Sequence, residues 1–482
     1  MESYYHRSGA KSNVIVGPRA GGLGLLLFGG CDIVNTNIRR GHTVFVQVVL
    51  RLILEVRNPV MYLKQVTIEN FRGIADMTLE LQPGINLLIG DNGVGKTSVL
   101  EAIVAGLGAC FKEIPAASAV SIKPDDVRQE LHVIDDSPFV KYHTPVRVTC
   151  QAQIGEEVYT WSRSRKNEAP KKQTVLEYAD DSARIADWFR DAANEPQMTL
   201  PVLNYQSINR VANRRNSDFS SSTRQFNDRR CGYTGCMDSA LDDKFIRKWC
   251  YAMMRKSGKS PRYDLFRSAV VHVMRRMEED RHIPDLYFSE EFGADGEFVY
   301  EEDGRAVPIT FLSAGYQSCL WMVMEIAFRA LLLNPGTTAL SEITGIVLID
   351  EVDKHLHPKW QWNVLGALRE TFPNIQFIIT THAPIVIGSC REAAIVSIAA
   401  DQLARPISSV YGYTIEDVVE RTQGSPAAIR ALKELYIRFE EACIQKDMEK
   451  AQQYFEEIDR EFPNSTERTK ARTKLGFLKL RG

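Results

Sequence analysis

The residues Gly90-Asp91-Asn92-Gly93-Val94-Gly95-Lys96-Thr97-Ser98 follow an apolar, strand-like run from Ile85 to Ile89. They precede VLEAIVAGLGACF, whose apolar residues recur at helical spacing. Strand, G-x4-G-K-T and helix in that order form a phosphate-binding loop in its full context. Gly93 and Gly95 leave room for backbone N–H groups to close around a β-phosphate. Lys96 supplies a mobile cation to β and γ oxygens, Thr97 offers a hydroxyl to Mg²⁺, and the helix N-terminus adds its positive end.

A second group lies far along the chain, with 254 positions between Lys96 and Asp350. Ile346–Ile349 is a wholly apolar run of strand length, closed by Asp350 and Glu351. Asp350 at a buried strand end suits Mg²⁺, and Glu351 suits the polarising of an attacking water. A further apolar run, Ile375–Ile379, leads to His382, where a γ-phosphate sensor would stand. Ser313, Ala314 and Gly315 open a long amphipathic helix, an arrangement that offers an anion-binding N-terminus. A histidine after a strand, or a Ser-x-Gly cap, serves structure as readily as function when alone. In this order they converge on a nucleotide.

The elements that must position these residues predict an α/β fold with a mixed or parallel sheet. It would be split by a compact α+β insertion and followed by a C-terminal helical hairpin. The expected divisions are an N-terminal extension (1–60), an N-terminal lobe with the phosphate loop (61–145), an insertion of strands and then basic helices (146–300), a C-terminal lobe (301–410) and a helical tail (411–482). Residues 1–60 hold eight glycines against twenty-three in the rest and show no sustained period. At Met61 the pattern turns to strand alternation, so folded structure is expected to begin there. No sustained heptads occupy the long gap, which excludes a rod-like coiled coil.

Composition is that of an ordinary globular chain: 482 residues, 44% hydrophobic, 25% charged, net charge −2. Nine cysteines without repeating spacing point to reduced thiols and a cytoplasmic setting, and Cys231, Cys236 and Cys250 lack the second pair that a zinc site needs. The apolar run Thr43–Val56 is broken by Arg51, so no membrane span is expected. The near-neutral total hides a basic stretch: residues 207–276 carry sixteen Lys or Arg against six Asp. Arg210, Arg214, Arg215, Arg224, Arg229 and Arg230 could line a DNA groove through phosphate contacts, or could form a solvated or internally paired surface.

Asn70-Phe71-Arg72-Gly73, the phosphate loop, LSAGYQ (Leu312 to Gln317), LIDEVDKHLHP (Leu348 to Pro358) and TTHAP (Thr380 to Pro384) resemble the ABC-type ATPases of the RecF, SMC and OLD kind, the AAA15/AAA23 class. The resemblance implies an ABC-type P-loop ATPase head, ATP and Mg²⁺ as cofactors, and two ATP molecules sandwiched between two heads. It assigns Arg72 to the nucleotide, Ser313 and Gly315 to the γ-phosphate of the other protomer, Asp353 to the dimer contact and His382 to the switch. Ala314 and Tyr316 depart from the commonest LSGGQ spelling. The family's glutamine loop has no clear match, with Gln151 and Gln153 as weak candidates.

LPVLNYQSINR, RCGYTGCMDSALDDKFIRKW and GYTIEDVVER, with HLHP after the acidic pair, are similar to bacterial defence ATPases and above all to the PtuA family of Septu-type anti-phage systems. That resemblance implies a homo-oligomer, from a dimer of heads up to a hexamer, and a PtuB-type HNH nuclease partner. The tail lacks the Asp-x-Asp of a toprim nuclease, so no nuclease site is visible in this chain. Two functions from different classes follow: a sensor scaffold whose nucleotide state governs the nuclease, or a turnover ATPase of RecF-like DNA repair. A PARIS-type ATPase that sequesters a toxic effector is a further alternative.

Overall fold

The structure, a computed structural model, describes residues 14–19, 22–27, 60–117, 120–134, 137–168, 175–176, 181–208, 226–255, 260–278, 285–292, 296–423, 430–463 and 465–481. The chain divides into two units, Met1–Arg57 and Asn58–Gly482. In the first, Val14–Arg19 and Gly22–Leu27 pair as an antiparallel hairpin. The remainder of the expected 1–60 extension lies outside the described residues, apart from Val60.

In the second unit, Met61–Phe71 (β1) alternates buried and half-buried positions until a register shift between Leu63 and Gln65 breaks the period. It pairs antiparallel with Ile74–Glu80 (β2). Ile85–Ile89 (β3) is buried at every position and leads through the phosphate loop into Lys96–Leu107 (α1). Val146–Ile154 (β4) and Glu157–Arg165 (β5) form a hairpin, and β4 also pairs with β1. After Ser182–Asn194 (α2) comes Val202–Gln206 (β6), again buried throughout. Asp243–Arg255 (α3) and Pro261–Met277 (α4) precede a three-stranded sheet over residues 285–308. Ala314–Leu333 (α5), Gly345–Ile349 (β7), Pro358–Thr371 (α6), Ile375–Thr380 (β8), Ala394–Ile398 (β9) and Ala404–Ile407 (β10) complete the head.

The central sheet has the order β6-β7-β8-β3-β9-β10, parallel except for β10. Its four central runs carry no polar alternation because both faces are covered. Gln376 on β8 clasps the antiparallel sheet: its amide accepts from Leu63 N–H at 2.8 Å and donates to the carbonyls of Leu63 and Gln82, both at 2.8 Å. Helix α1 lies against β4, where a Cβ on Gly106 would stand 2.5 Å from Cys150 Sγ. No basic residue occupies the last turn of α1. Instead Trp161 Nε1 donates to Gly106 O at 2.9 Å and Arg163 to Ala105 O at 2.6 Å, satisfying the exposed carbonyls and opposing the negative end of the helix.

Two expectations are corrected here. The insertion does not begin at 146, because residues 146–165 complete the sheet begun by β1, and β6 forms the edge of the central sheet. Beyond the short helix Ile415–Gln423, the described residues of the tail hold three helices rather than a hairpin: Arg430–Ile444 (α7), Met448–Glu461 (α8) and Thr466–Arg481 (α9). They share a small core of their own, with Phe439, Ala451, Ile458 and Ala471 fully buried. The third helix escapes notice in the sequence because Arg and Lys dilute its apolar stripe.

The basic stretch is largely spoken for where it is described. Arg230 pairs with Asp228 at 2.9 Å, and Arg229 donates to Met198 O at 2.6 Å. Arg247 pairs with Glu297 at 2.7 Å, and Arg276 with Glu370 at 2.7 Å. Arg229 and Arg230 are thus internally paired where they are described, with Arg230 still partly exposed. Arg210, Arg214, Arg215 and Arg224 lie outside the described residues. Helix α5 is long and apolar enough to cross a membrane, yet 83% of that stretch is buried in the protein, as a core helix is.

Candidate active site

Parallel strands with buried faces bring their C-terminal ends to one edge, and that edge collects the predicted residues. Gly90, Gly93 and Gly95 all have positive φ (145°, 86° and 100°), and Gly95 caps α1 in the left-handed region, where a Cβ would be strained. Asp91, Asn92 and Gly93 are exposed, Val94 and Ser98 half-buried, so the loop opens outward. Lys96 is buried, and its ammonium donates to the carbonyls of Gly90 at 2.9 Å and Asp91 at 2.8 Å. Burial lowers the Lys96 pKa, against the pull of Glu351, Asp350, Asp91 and Asp353.

Thr97 Oγ1 lies 3.0 and 3.2 Å from the two carboxylate oxygens of Asp350. Asp350, 4% exposed, also accepts from Thr380 Oγ1 at 2.6 Å, and its N–H donates to Gln206 O at 2.9 Å. A hydroxyl and a carboxylate meeting at one point beside a phosphate loop are hard-oxygen ligands suited to Mg²⁺. Glu351 follows with φ 48°, unusual for a residue with a side chain, and its N–H is held by Thr380 Oγ1 at 2.7 Å. Its carboxylate acts electrostatically on both Lys96 and His382.

Asp353 accepts from the Thr381 hydroxyl and, at 3.4 Å, from the His382 N–H, so it secures the histidine-bearing turn of its own chain. Burial and then the Lys96 cation lower the His382 pKa, which keeps the imidazole neutral at pH 7. Arg72, at φ 50°, is occupied by Asp126 at 2.9 Å and by Glu101 on α1. Burial alone would lower its pKa, but those two carboxylates raise it. The structure thus joins Arg72 to the flank of α1, with no hydrogen bond to the phosphate loop itself.

Ser313 caps α5, its Oγ accepting from Tyr316 N–H, and Ser313 and Ala314 are exposed. Gly315 is buried, and a Cβ there would stand 2.3 Å from His355 O. The helix start therefore sits directly on the loop that follows Glu351.

A further glutamine, Gln206, reaches this edge of the central sheet. It ends β6, opposite Ile349 on β7, and its amide donates to Asn204 Oδ1 at 2.5 Å and Glu325 Oε2 at 3.1 Å. Gln151 and Gln153 sit on β4 in the other sheet, bonded to Thr160 and Gly155. A glutamine closing Leu200–Tyr205, a run apolar but for Asn204, was the available signal, but only the strand order picks it out.

Residues 65–244 match the AAA_23 family, described as an AAA domain. Residues 156–388 match AAA_21, an AAA domain whose description also names the AbiEii toxin of type IV toxin–antitoxin systems. The "Retron Vc95 probable ATPase" of Vibrio cholerae is 23% identical over 454 residues, covering 80% of this chain and 86% of its own. The Septu protein PtuA of Bacillus thuringiensis is 23% identical over 422 residues, covering 83% of this chain and 93% of its own. RecF of Pasteurella multocida is 33% identical over 26% of this chain and 30% of its own. Among solved structures, an SMC head bound to the winged-helix domain of ScpA aligns with 72% of this chain and 97% of its own, at 14% identity and a TM-score of 0.45. Retron ATPases are relatives that the motifs alone did not bring out. With the phosphate loop, the Asp350–Glu351 strand end and the parallel sheet that carries both, the chain carries AAA-domain matches between residues 65 and 388 and is similar to Septu PtuA and retron ATPases over most of its length.

Proposed function

We propose that the chain binds and slowly hydrolyses Mg²⁺-ATP between paired copies of its head, in a cytoplasmic anti-phage defence complex where the nucleotide state controls an HNH nuclease that cuts DNA. One observation carries the nucleotide chemistry: Thr97 and Asp350 meet at 3.0 Å beside Lys96, with Glu351 one residue on. In this reading the loop N–H groups and the start of α1 hold the β-phosphate. Lys96 leaves the carbonyls of Gly90 and Asp91 for phosphate oxygens. Thr97 and Asp350 would hold Mg²⁺, which would supply charge neutralisation for the phosphates. Glu351 takes a proton from the attacking water, and neutral His382 hydrogen-bonds the γ-phosphate.

The exposed Ser313 and Ala314, with Phe311 beside them 79% exposed, suit a face that a second head would cover. The extent of the likenesses favours a defence role over RecF-like repair: retron and PtuA relatives match 80% and 83% of the chain, the RecF of Pasteurella multocida 26%. The direct test combines mass measurement with and without ATP, phosphate release, and plasmid cleavage after co-expression with an HNH nuclease of the PtuB type. ATP-dependent pairing, hydrolysis and nuclease copurification are expected. A preparation that stays monomeric and silent with Mg²⁺-ATP would sink the proposal.

A further inference from the structure

The Ser-x-Gly helix start departs from its family's commonest spelling at Tyr316, and that tyrosine leads to a buried carboxylate. Tyr316 Oη donates to Glu278 Oε1 at 2.7 Å and stands 3.2 Å from Glu302 Oε1. Trp360 Nε1 donates to the same Glu278 oxygen at 2.8 Å, and Lys359 Nζ lies 3.8 Å from the other. The rings of Tyr316 and Trp360 meet edge to face at 4.3 Å.

Glu278 is 8% exposed and caps the C-terminal end of α4, where the helix's own negative end disfavours a carboxylate. Its placement is therefore costly for α4 and is offset by donors from α5 and α6. Three segments remote in sequence meet on one side chain: the end of the insertion helix, the start of α5 and the first turn after the Asp350–Glu351 loop. Ser313 is thus fixed from two sides, by His355 O beneath Gly315 and by Glu278 beneath Tyr316.

We propose that Glu278 is a positioning residue that sets Ser313 and Gly315 for the nucleotide held by a second copy of the chain, so that it acts on hydrolysis in trans. The proposal rests on the reading of the chain as an ATPase whose heads pair. Among the described residues Glu278 bonds Tyr316 and Trp360 and lies near Lys359, none of them in the phosphate loop, so its removal should leave nucleotide binding within one chain alone.

The full-length variants Glu278→Gln and Tyr316→Phe are compared with wild type and with Lys96→Ala. For both Glu278→Gln and Tyr316→Phe, ATP affinity should stay within about twofold while kcat falls roughly tenfold or more. Mixing Glu278→Gln with Lys96→Ala should restore activity several-fold above either alone. The mixed pair joins one intact phosphate loop to one intact Ser313 face. No gain on mixing, or ATP affinity and melting temperature lost together in both variants, would overturn the proposal and make Glu278 a plain structural pair. A wild-type protein that itself fails to hydrolyse ATP would instead overturn the ATPase reading.

Discussion

Thr97 Oγ1 and Asp350 Oδ2 lie 3.0 Å apart although 253 residues separate them. The contact exists because β3 and β7 end at the same edge of one parallel sheet, separated only by β8. Thr380, on that intervening strand, bonds both Asp350 and the N–H of Glu351. Three strand ends thus hold the loop, Asp350 and Glu351 together as one unit.

Lys96→Ala should weaken ATP binding strongly. Charge-assisted hydrogen bonds of about 1.5–3 kcal/mol disappear, so affinity should fall by ten- to a hundredfold or more. Titration with a fluorescent ATP analogue measures it.

Glu351→Gln should keep ATP affinity while slowing hydrolysis by about 10²–10⁴, the usual contribution of a general base. ATP-bound pairs of heads should then accumulate, visible by light scattering. Unchanged phosphate release would show that another group polarises the water.

Gly315→Ala places a Cβ against the carbonyl of His355 at 2.3 Å, and backbone yields less readily than a side chain. Overpacking of this kind costs about 1–3 kcal/mol. A melting temperature lower by a few degrees is expected, with hydrolysis reduced through the displaced Ser313.

His382 has its pKa lowered by burial and by Lys96, so the unfolded chain takes up a proton first as pH falls. The neutral imidazole's contribution to stability is fully present above the ordinary histidine pKa of about 6.5 and declines as pH drops below it. Wild type should therefore lose more melting temperature between neutral and mildly acidic pH than His382→Gln does. Equal slopes would remove His382 from the pH response.

Glu325→Ala should destabilise the head strongly. Glu325 and Arg329 on α5 are 1% and 2% exposed and pair at 2.7 Å, while Glu325 also receives Gln206. Removing one partner of such a pair leaves a buried uncompensated charge, at about 3–5 kcal/mol. Denaturant unfolding checks the size, and double replacement by apolar residues of similar volume should recover most of it.

Much of this site was legible because a nucleotide is gripped by contiguous backbone. The order strand, Gly90-to-Ser98 loop and helix, and the strand ends at Asp350 and His382, are local patterns whose periods survive in the sequence. Strand order is not local. Nothing near Gln206 says that its strand lies beside β7, and nothing near residue 146 says that β4 closes onto β1. Those pairings depend on hydrogen bonds and burial between distant segments. The same limit applies to charge: Arg229 and Arg230 read as a free basic surface until their partners at Met198 and Asp228 are in place. The sequence by itself singled out the candidate residues for phosphate and metal. Tertiary structure decided which of the remaining polar groups are committed to one another, because only packing brings donors and acceptors within hydrogen-bonding reach.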